Sequence, residues 1–161
     1  MFKVPDVLPD DAIPPVNCAL CQVLHGIEYA EMKFGDVVVI QGAGGLGIYA
    51  AAVAAEKGAS KVISIDKQPG RLDMARQCGA TDVIDMNELT TPEARVQRVK
   101  DLTDGRGADM VVEVVGIAAA TVEGLDMVRF NGKFVDIGNI VPQHVSFPPP
   151  RSSPSRSTGR G

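Results

Sequence analysis

Four apolar residues, Val37 to Ile40, run without interruption into Gln41-Gly42-Ala43-Gly44-Gly45-Leu46-Gly47, and apolar positions then resume almost without a break to Ala55. A short continuous apolar run stopped by glycine predicts a buried strand; the alanine-heavy stretch from Leu46 to Lys57, closed by Gly58, predicts a helix buried on most sides. The same alternation repeats downstream. Lys61–Asp66 reads as a second strand, Arg71–Cys78 as a helix stopped by Gly79, and Asp82–Asp85 as a short third strand. Thr90-Thr91-Pro92-Glu93 marks a helix start, with threonine as cap and proline in the first turn. That helix runs to about Leu102, with Val96, Val99 and Leu102 inward and Arg95, Arg98 and Lys100 outward. Asp109–Gly116 is a fourth strand, Ala118–Val128 a helix and Gly132–Gly138 a fifth strand.

Upstream, Leu20, Val23, Leu24 and Ile27 share one face of a helix that Asn17 would cap and Gly35 would close. Before it, Pro5, Pro9, Pro14 and Pro15 lie among acids, so residues 1–14 read as an extended lead-in to a domain spanning 15–147. Short apolar strands alternating with longer helices specify parallel β-α units covered on both faces. Right-handed crossovers then leave a doubly wound α/β sheet of about five strands in the order 3-2-1-4-5. Ligands of such sheets sit beyond the carboxyl ends of the strands, where Gly42, Asp66, Gly116 and Gly138 fall.

Composition narrows the classes. The 161 residues suffice for one domain, and a net charge of −4 without a basic stripe argues against nucleic acid as the main partner. No apolar stretch approaches a membrane span, and no basic region precedes an apolar core at the N-terminus, which predicts a cytoplasmic protein with no membrane partner. Cys18, Cys21 and Cys78 form no disulfide framework and read as reduced thiols. Residues 148–161 hold three arginines, no acid and no apolar residue, the composition of a disordered polar tail. It is either a basic interaction segment or an end without a specific role. Without those arginines, thirteen bases stand against twenty acids over residues 1–147.

The glycine cluster carries the chemistry. Gly42, Gly44 and Gly47 fit G-x-G-x-x-G: the first permits a sharp turn, the second leaves room for a pyrophosphate, and the third lets helix and strand pack closely. The free N–H groups of the first helical turn, from Gly45, Leu46 and Gly47, then face the anion. Asp66 ends the next strand nineteen residues after Gly47. A carboxylate there accepts both ribose hydroxyls of an adenosine and repels a 2′-phosphate, favouring NAD over NADP. The competing reading of Asp66 is a turn residue ahead of Gln68-Pro69-Gly70.

Several blocks in order resemble the medium-chain, typically zinc-dependent alcohol dehydrogenases, over about Pro15 to Gly138. They are Val16-Asn17-Cys18-Ala19-Leu20, Gly35–Gly44, Val62–Asp66, Gly79–Ile84, Gly107–Glu113 and Gly132-Lys133-Phe134. The resemblance implies a Rossmann domain and hydride transfer between NAD and an alcohol or carbonyl substrate. It implies pyrophosphate at Gly42, Gly44 and Gly47, adenosine ribose at Asp66 and Lys67, and the nicotinamide half along Val115, Gly116, Ile137 and Gly138. Simple strand termination also accounts for those last four. Cys18 matches the cysteine that is one ligand of the catalytic zinc in such enzymes; otherwise it is a buried thiol at a helix start. Cys21 is expected to be an ordinary packed thiol and His25 a partly exposed helix residue.

The departures set the expectation for activity. The family's catalytic domain, with the other zinc ligands, has no counterpart in the sequence, and its sixth strand should follow Gly138, where the chain instead turns to Pro148. An NAD-binding fragment, inactive alone and drawn from a parent with zinc and homo-oligomeric assembly, is the reading that follows. Strand five would then be an open edge prone to pairing. A metal-free quinone or enoyl reductase of the same superfamily and a non-catalytic NAD-binding module are the alternatives.

Overall fold

The computed structural model describes residues 5–10 and 13–138. Five parallel strands form one sheet in the order β3-β2-β1-β4-β5, with β1 at Val37–Gln41, β2 at Lys61–Asp66, β3 at Asp82–Asp85, β4 at Ala108–Glu113 and β5 at Val128–Asp136. This is the doubly wound order expected from the alternation of apolar runs and helices. β1 and β4 are buried at every position, as strands covered on both faces must be.

Five α-helices cover the faces: α1 (Cys21–Tyr29), α2 (Gly45–Glu56), α3 (Pro69–Gln77), α4 (Pro92–Asp101) and α5 (Ala118–Met127). Side chains alternate across each strand and so divide the core in two. Val38, Ile40, Val62, Met110 and Val112 pack with α1, α2 and α3 through Val23, Ile27, Ala50, Ala54 and Leu72. Val39, Ile63, Ile65, Ile84 and Val111 pack on the other face with Val96, Val99 and Met127 of α4 and α5. The first strand–helix unit is thereby held rigidly from both sides, which fixes the glycine turn between them.

Several boundaries differ from the sequence reading, each for a local reason. The first helix does not begin at Asn17: Pro14 and Pro15 are already helical, because proline's fixed φ and missing N–H suit an opening turn. Asn17 lies inside a π-helical turn, Val16–Leu20, in which the Cys21 N–H donates to Val16 O. α1 ends at Tyr29 rather than running toward Gly35, since Glu31 adopts a left-handed conformation (φ 56°) and the Met32 N–H donates back to Ile27 O. β5 starts at Val128, four residues early, and an irregularity at its start is absorbed by Asn131 at φ 61°. The expected sixth-strand position and the 148–161 tail lie outside the described residues.

Arg95 is the largest correction. Expected on the outer face of α4, it is 4% exposed. Its guanidinium donates from Nε and Nη2 to the two carboxylate oxygens of Glu123 on α5, each at 2.7 Å, and from Nη1 to Leu89 O. A buried carboxylate on the neighbouring helix draws in a side chain that helical periodicity alone puts outside. Hydrogen bonding to Glu123 raises the guanidinium's pKa despite its burial.

The opposite end of the sheet is held by Asp109. It accepts the Val37 N–H at 2.9 Å and both guanidinium groups of Arg106 and Arg129. Burial would raise this carboxyl, but the Val37 N–H and the two arginines outweigh it and hold it below the ordinary aspartate range. Asp109 therefore stabilises the fold fully above the unfolded-state value, and the contribution is lost as pH falls through the lowered folded one. Asp109→Asn is expected to cost roughly 1.5–3 kcal/mol at neutral pH and to flatten the acid limb. Urea unfolding across pH reads both, and superimposable acid limbs would refute the assignment.

Candidate functional site

The site begins at the junction of β1 and α2. Gly42 takes φ 96°, a left-handed turn open to glycine, and a Cβ there would come within 2.8 Å of Val115. At Gly47 a Cβ would lie 1.8 Å from the Gly42 carbonyl oxygen, so helix and strand approach as only glycine permits. Gly44 and Gly45 behave oppositely: a Cβ on either would meet nothing within 4 Å. Gly44 caps α2 without any side-chain acceptor for the first-turn N–H groups. The loop is tight toward the protein and open outward, and the N–H groups of Gly45, Leu46 and Gly47 at the positive helix end suit an anion.

Asp66 stands at the end of β2, 6% exposed. Its Oδ2 accepts the Ala43 N–H at 2.8 Å and its Oδ1 accepts the Gln68 N–H at 2.9 Å. One carboxylate thus joins the glycine turn to the β2–α3 loop. Both readings of Asp66 meet here, since it orders its own turn and also borders a cavity of about 340 Å³. A carboxylate has about four lone-pair positions, so hydroxyl donors can still be accepted. Arg71 lies 3.8 Å from Oδ2 and is half exposed, a weak ion pair beside the same cavity.

Of the residues singled out from sequence, Gly42, Asp66, Lys67 and Val115 line this one cavity. Gly116 and Gly138 are brought together at the ends of β4 and β5: a Cβ on Gly138 would lie 2.4 Å from the Gly116 nitrogen. Ile137 is drawn elsewhere, its Cδ1 within 2.9 Å of where a Cβ on Gly26 of α1 would be, while its N–H donates to Glu113 O. Met86, Ile117, Ala120 and Arg95 are among the further residues that line the cavity without having been singled out as site residues. Met86 and Ile117 follow the ends of β3 and β4, and the carboxyl-end rule applied to every strand finds them; nothing local marks Arg95.

Cys18 is apart from this cleft, exposed in the π-helical turn before α1. Cys21 is exposed too, which corrects the expectation of a packed thiol and removes the buried-thiol reading of Cys18. The inward face of the helix is taken by Val23 and Ile27, leaving the cysteines outside. His25 is exposed, as expected. Among the described residues no three His, Cys, Asp or Glu side chains group to hold a metal. One thiolate does not make a zinc site, so no metal-dependent step follows from these residues. The glycine turn and Asp66, by contrast, fit a dinucleotide.

Residues 45–161 match the family model described as zinc-binding dehydrogenase. The chain belongs to the zinc-type medium-chain alcohol dehydrogenase family. It is 41% identical over 138 residues to a 5-exo-hydroxycamphor dehydrogenase of Pseudomonas putida, covering 85% of this chain and 38% of that protein. An L-threonine 3-dehydrogenase of Bacillus licheniformis is 38% identical over 136 residues, 83% of this chain and 37% of the relative. Among solved structures, an alcohol dehydrogenase from Thermotoga maritima superposes with a TM-score of 0.84 at 35% identity, over 91% of this chain and 40% of that one. One from Thermus sp. ATN1 gives 0.83 at 33%, over 91% and 41%. The chain spans about two fifths of the length of these alcohol dehydrogenase relatives. No helix among its described residues is long and apolar enough to cross a membrane.

Proposed function

We propose that this chain is the NAD-binding part of a zinc-dependent alcohol dehydrogenase, one that moves hydride between a small alcohol or carbonyl compound and NAD, and that alone it turns over no alcohol. The observation that carries the reading is Asp66: a nearly buried carboxylate, tied to Ala43 of the glycine turn, bordering the cavity that Gly42, Lys67 and Val115 also line. When bound, NAD supplies the hydride acceptor. The residues bind and orient it: first-turn amides of α2 take the pyrophosphate, Asp66 and Lys67 the adenosine ribose, and the backbone at Val115, Gly116, Ile137 and Gly138 passes the nicotinamide half. The ligands that would complete a zinc site with Cys18, and the pocket that would select the alcohol, are assigned to another part of the enzyme.

Titration of the purified chain with NADH and with NADPH, followed by nicotinamide fluorescence, tests this. Saturable NADH binding with NADPH much weaker is expected, and Asp66→Ala should weaken NADH roughly 10- to 100-fold by removing hydrogen bonds to a charged acceptor. Equal affinity for both dinucleotides would sink the NAD assignment. Alcohol oxidation by the pure chain that Asp66→Ala abolishes would overturn the claim that it is inactive alone.

A further inference from the structure

At the carboxyl ends of three neighbouring strands the register aligns Gln41 of β1 with Glu113 of β4, and Glu113 with Asp136 of β5. Parallel strands lie about 4.8 Å apart, and register partners point to the same face, so these polar side chains form a row across the sheet beneath the glycine turns. Glu113 is fully buried. Its Oε1 accepts the N–H groups of Val115 at 2.6 Å and Gly116 at 2.8 Å, holding the turn after β4. Its Oε2 has no hydrogen bond of full geometry among the described residues and faces Gly138, where a Cβ would come within 2.3 Å of it.

Among the described residues no ion pair reaches Glu113. Arg95 is committed to Glu123 of α5, and Arg106 and Arg129 to Asp109 at the far end of β4. α5 also carries Asp126, and β1 contributes only the neutral Gln41. Lys133 and His25 line the groove between α1 and β5 with Asp136, which is itself exposed. An ionised Glu113 would be a buried charge held by two backbone N–H groups alone, with no counter-ion and beside a second carboxylate, a costly arrangement in a protein interior.

We propose that Glu113 is a protonated positioning residue: Oε1 holds the 115–116 turn, and Oε2 carries a proton toward the Asp136 carboxylate, joining the two strand ends at Gly116 and Gly138. Burial pushes the Glu113 carboxyl up, the two backbone N–H groups pull it down, and the charge of Asp136 pushes it up further. Asp136 is raised by burial, with the hydrogen bond from Glu113 acting the other way. The unfolded chain releases this proton at the ordinary glutamate value and the folded chain only at a higher pH. Stability therefore declines with rising pH between the two. Above the folded value the turn loses its neutral brace and releases one proton to solvent. Because Gly116 and Gly138 are the segments assigned to the nicotinamide half, the cofactor role of Glu113 rests on the function proposed above; the protonation itself does not.

Two measurements on the full chain separate these parts. Infrared spectroscopy over a pH series that starts at the ordinary glutamate value of about 4.3 should show a protonated-carboxyl C=O band that is absent from Glu113→Gln, outlasts the bands of exposed carboxyls and fades as pH rises further. Absence of that band from the wild-type chain, or its persistence in the variant, overturns the proposal. NADH titration across the same range should show wild-type affinity falling by up to about tenfold per pH unit once the group ionises. Glu113→Gln, whose amide presents an acceptor to the turn and a donor to Asp136 at every pH, should give a flat profile. Parallel decline in both proteins overturns the positioning role. Failure of either protein to bind NADH at any pH removes the cofactor reading, while the infrared band still decides where the proton resides.

Discussion

Gly47→Ala is expected to destabilise the chain by about 3 kcal/mol, the upper end for forcing an extra carbon into a packed site. The reason is the identity of the atom it meets. A Cβ at this position lies 1.8 Å from the Gly42 carbonyl oxygen and 2.8 Å from its carbon, and main chain at the end of a central strand has no rotamer to change. α2 must move away from β1, taking with it Ala50, Ala51 and Ala54, all fully buried. For a chain of this size the shift in thermal midpoint is about 2–4 °C per kcal/mol, so a drop of about 6–12 °C is expected. Gly44→Ala makes the contrast. Its Cβ meets nothing within 4 Å, so stability should change by about 1 kcal/mol or less, while NADH binding weakens at least about tenfold because the methyl enters the space proposed for the pyrophosphate. Equal thermal shifts in the two variants would contradict the division of labour among the glycines.

Arg95→Met should cost about 3–5 kcal/mol, since it leaves the Glu123 carboxylate buried without its partner. The two side chains are 5% and 9% exposed, so solvent rescues neither. The informative variant is the double one. Arg95→Met with Glu123→Leu removes both charges, and replacement of a buried pair by apolar groups is often neutral or stabilising. Most of the loss should therefore be regained. Both residues line the cavity with Asp66, so the double variant should also leave a more apolar wall there. Equilibrium unfolding of the wild type, both single variants and the double variant closes a cycle; additive losses would show that the pair is not coupled.

The strand order and the glycine turn were legible because they rest on local signals: continuous apolar runs, helices of sufficient length, and a spaced glycine set of which Gly42 and Gly47 stand where a Cβ would clash. Asp66 was legible for a similar reason, as an acid at the end of a buried strand at a set distance from the turn. Arg95 was not, because its place is decided by Glu123, twenty-eight residues away on another helix. The start of β5 escaped for the same cause: Arg129 reaches back to Asp109, and the five steps from Val128 to Lys133 are matched to two on β4, with Asn131 at φ 61° inside that irregularity, so pairing begins before the hydrophobic pattern does. The exposure of Cys18 and Cys21 depends on which helical face Val23 and Ile27 claim, and the π-helical turn before α1 rotates that face away from simple 3.6-residue counting.

Under the function proposed above, Asp66 also bears on how cofactor preference drifts over generations. Its carboxylate anchors two backbone amides, at Ala43 and Gln68, in addition to whatever it recognises. A lineage moving toward the phosphorylated dinucleotide would already hold Arg71 and Lys67 beside the site, yet shedding the acid would unfasten the glycine turn from the loop after β2. The accessible route is through a short polar replacement that keeps one of those two bonds, and the position therefore acts as an evolutionary ratchet, easier to enter than to leave.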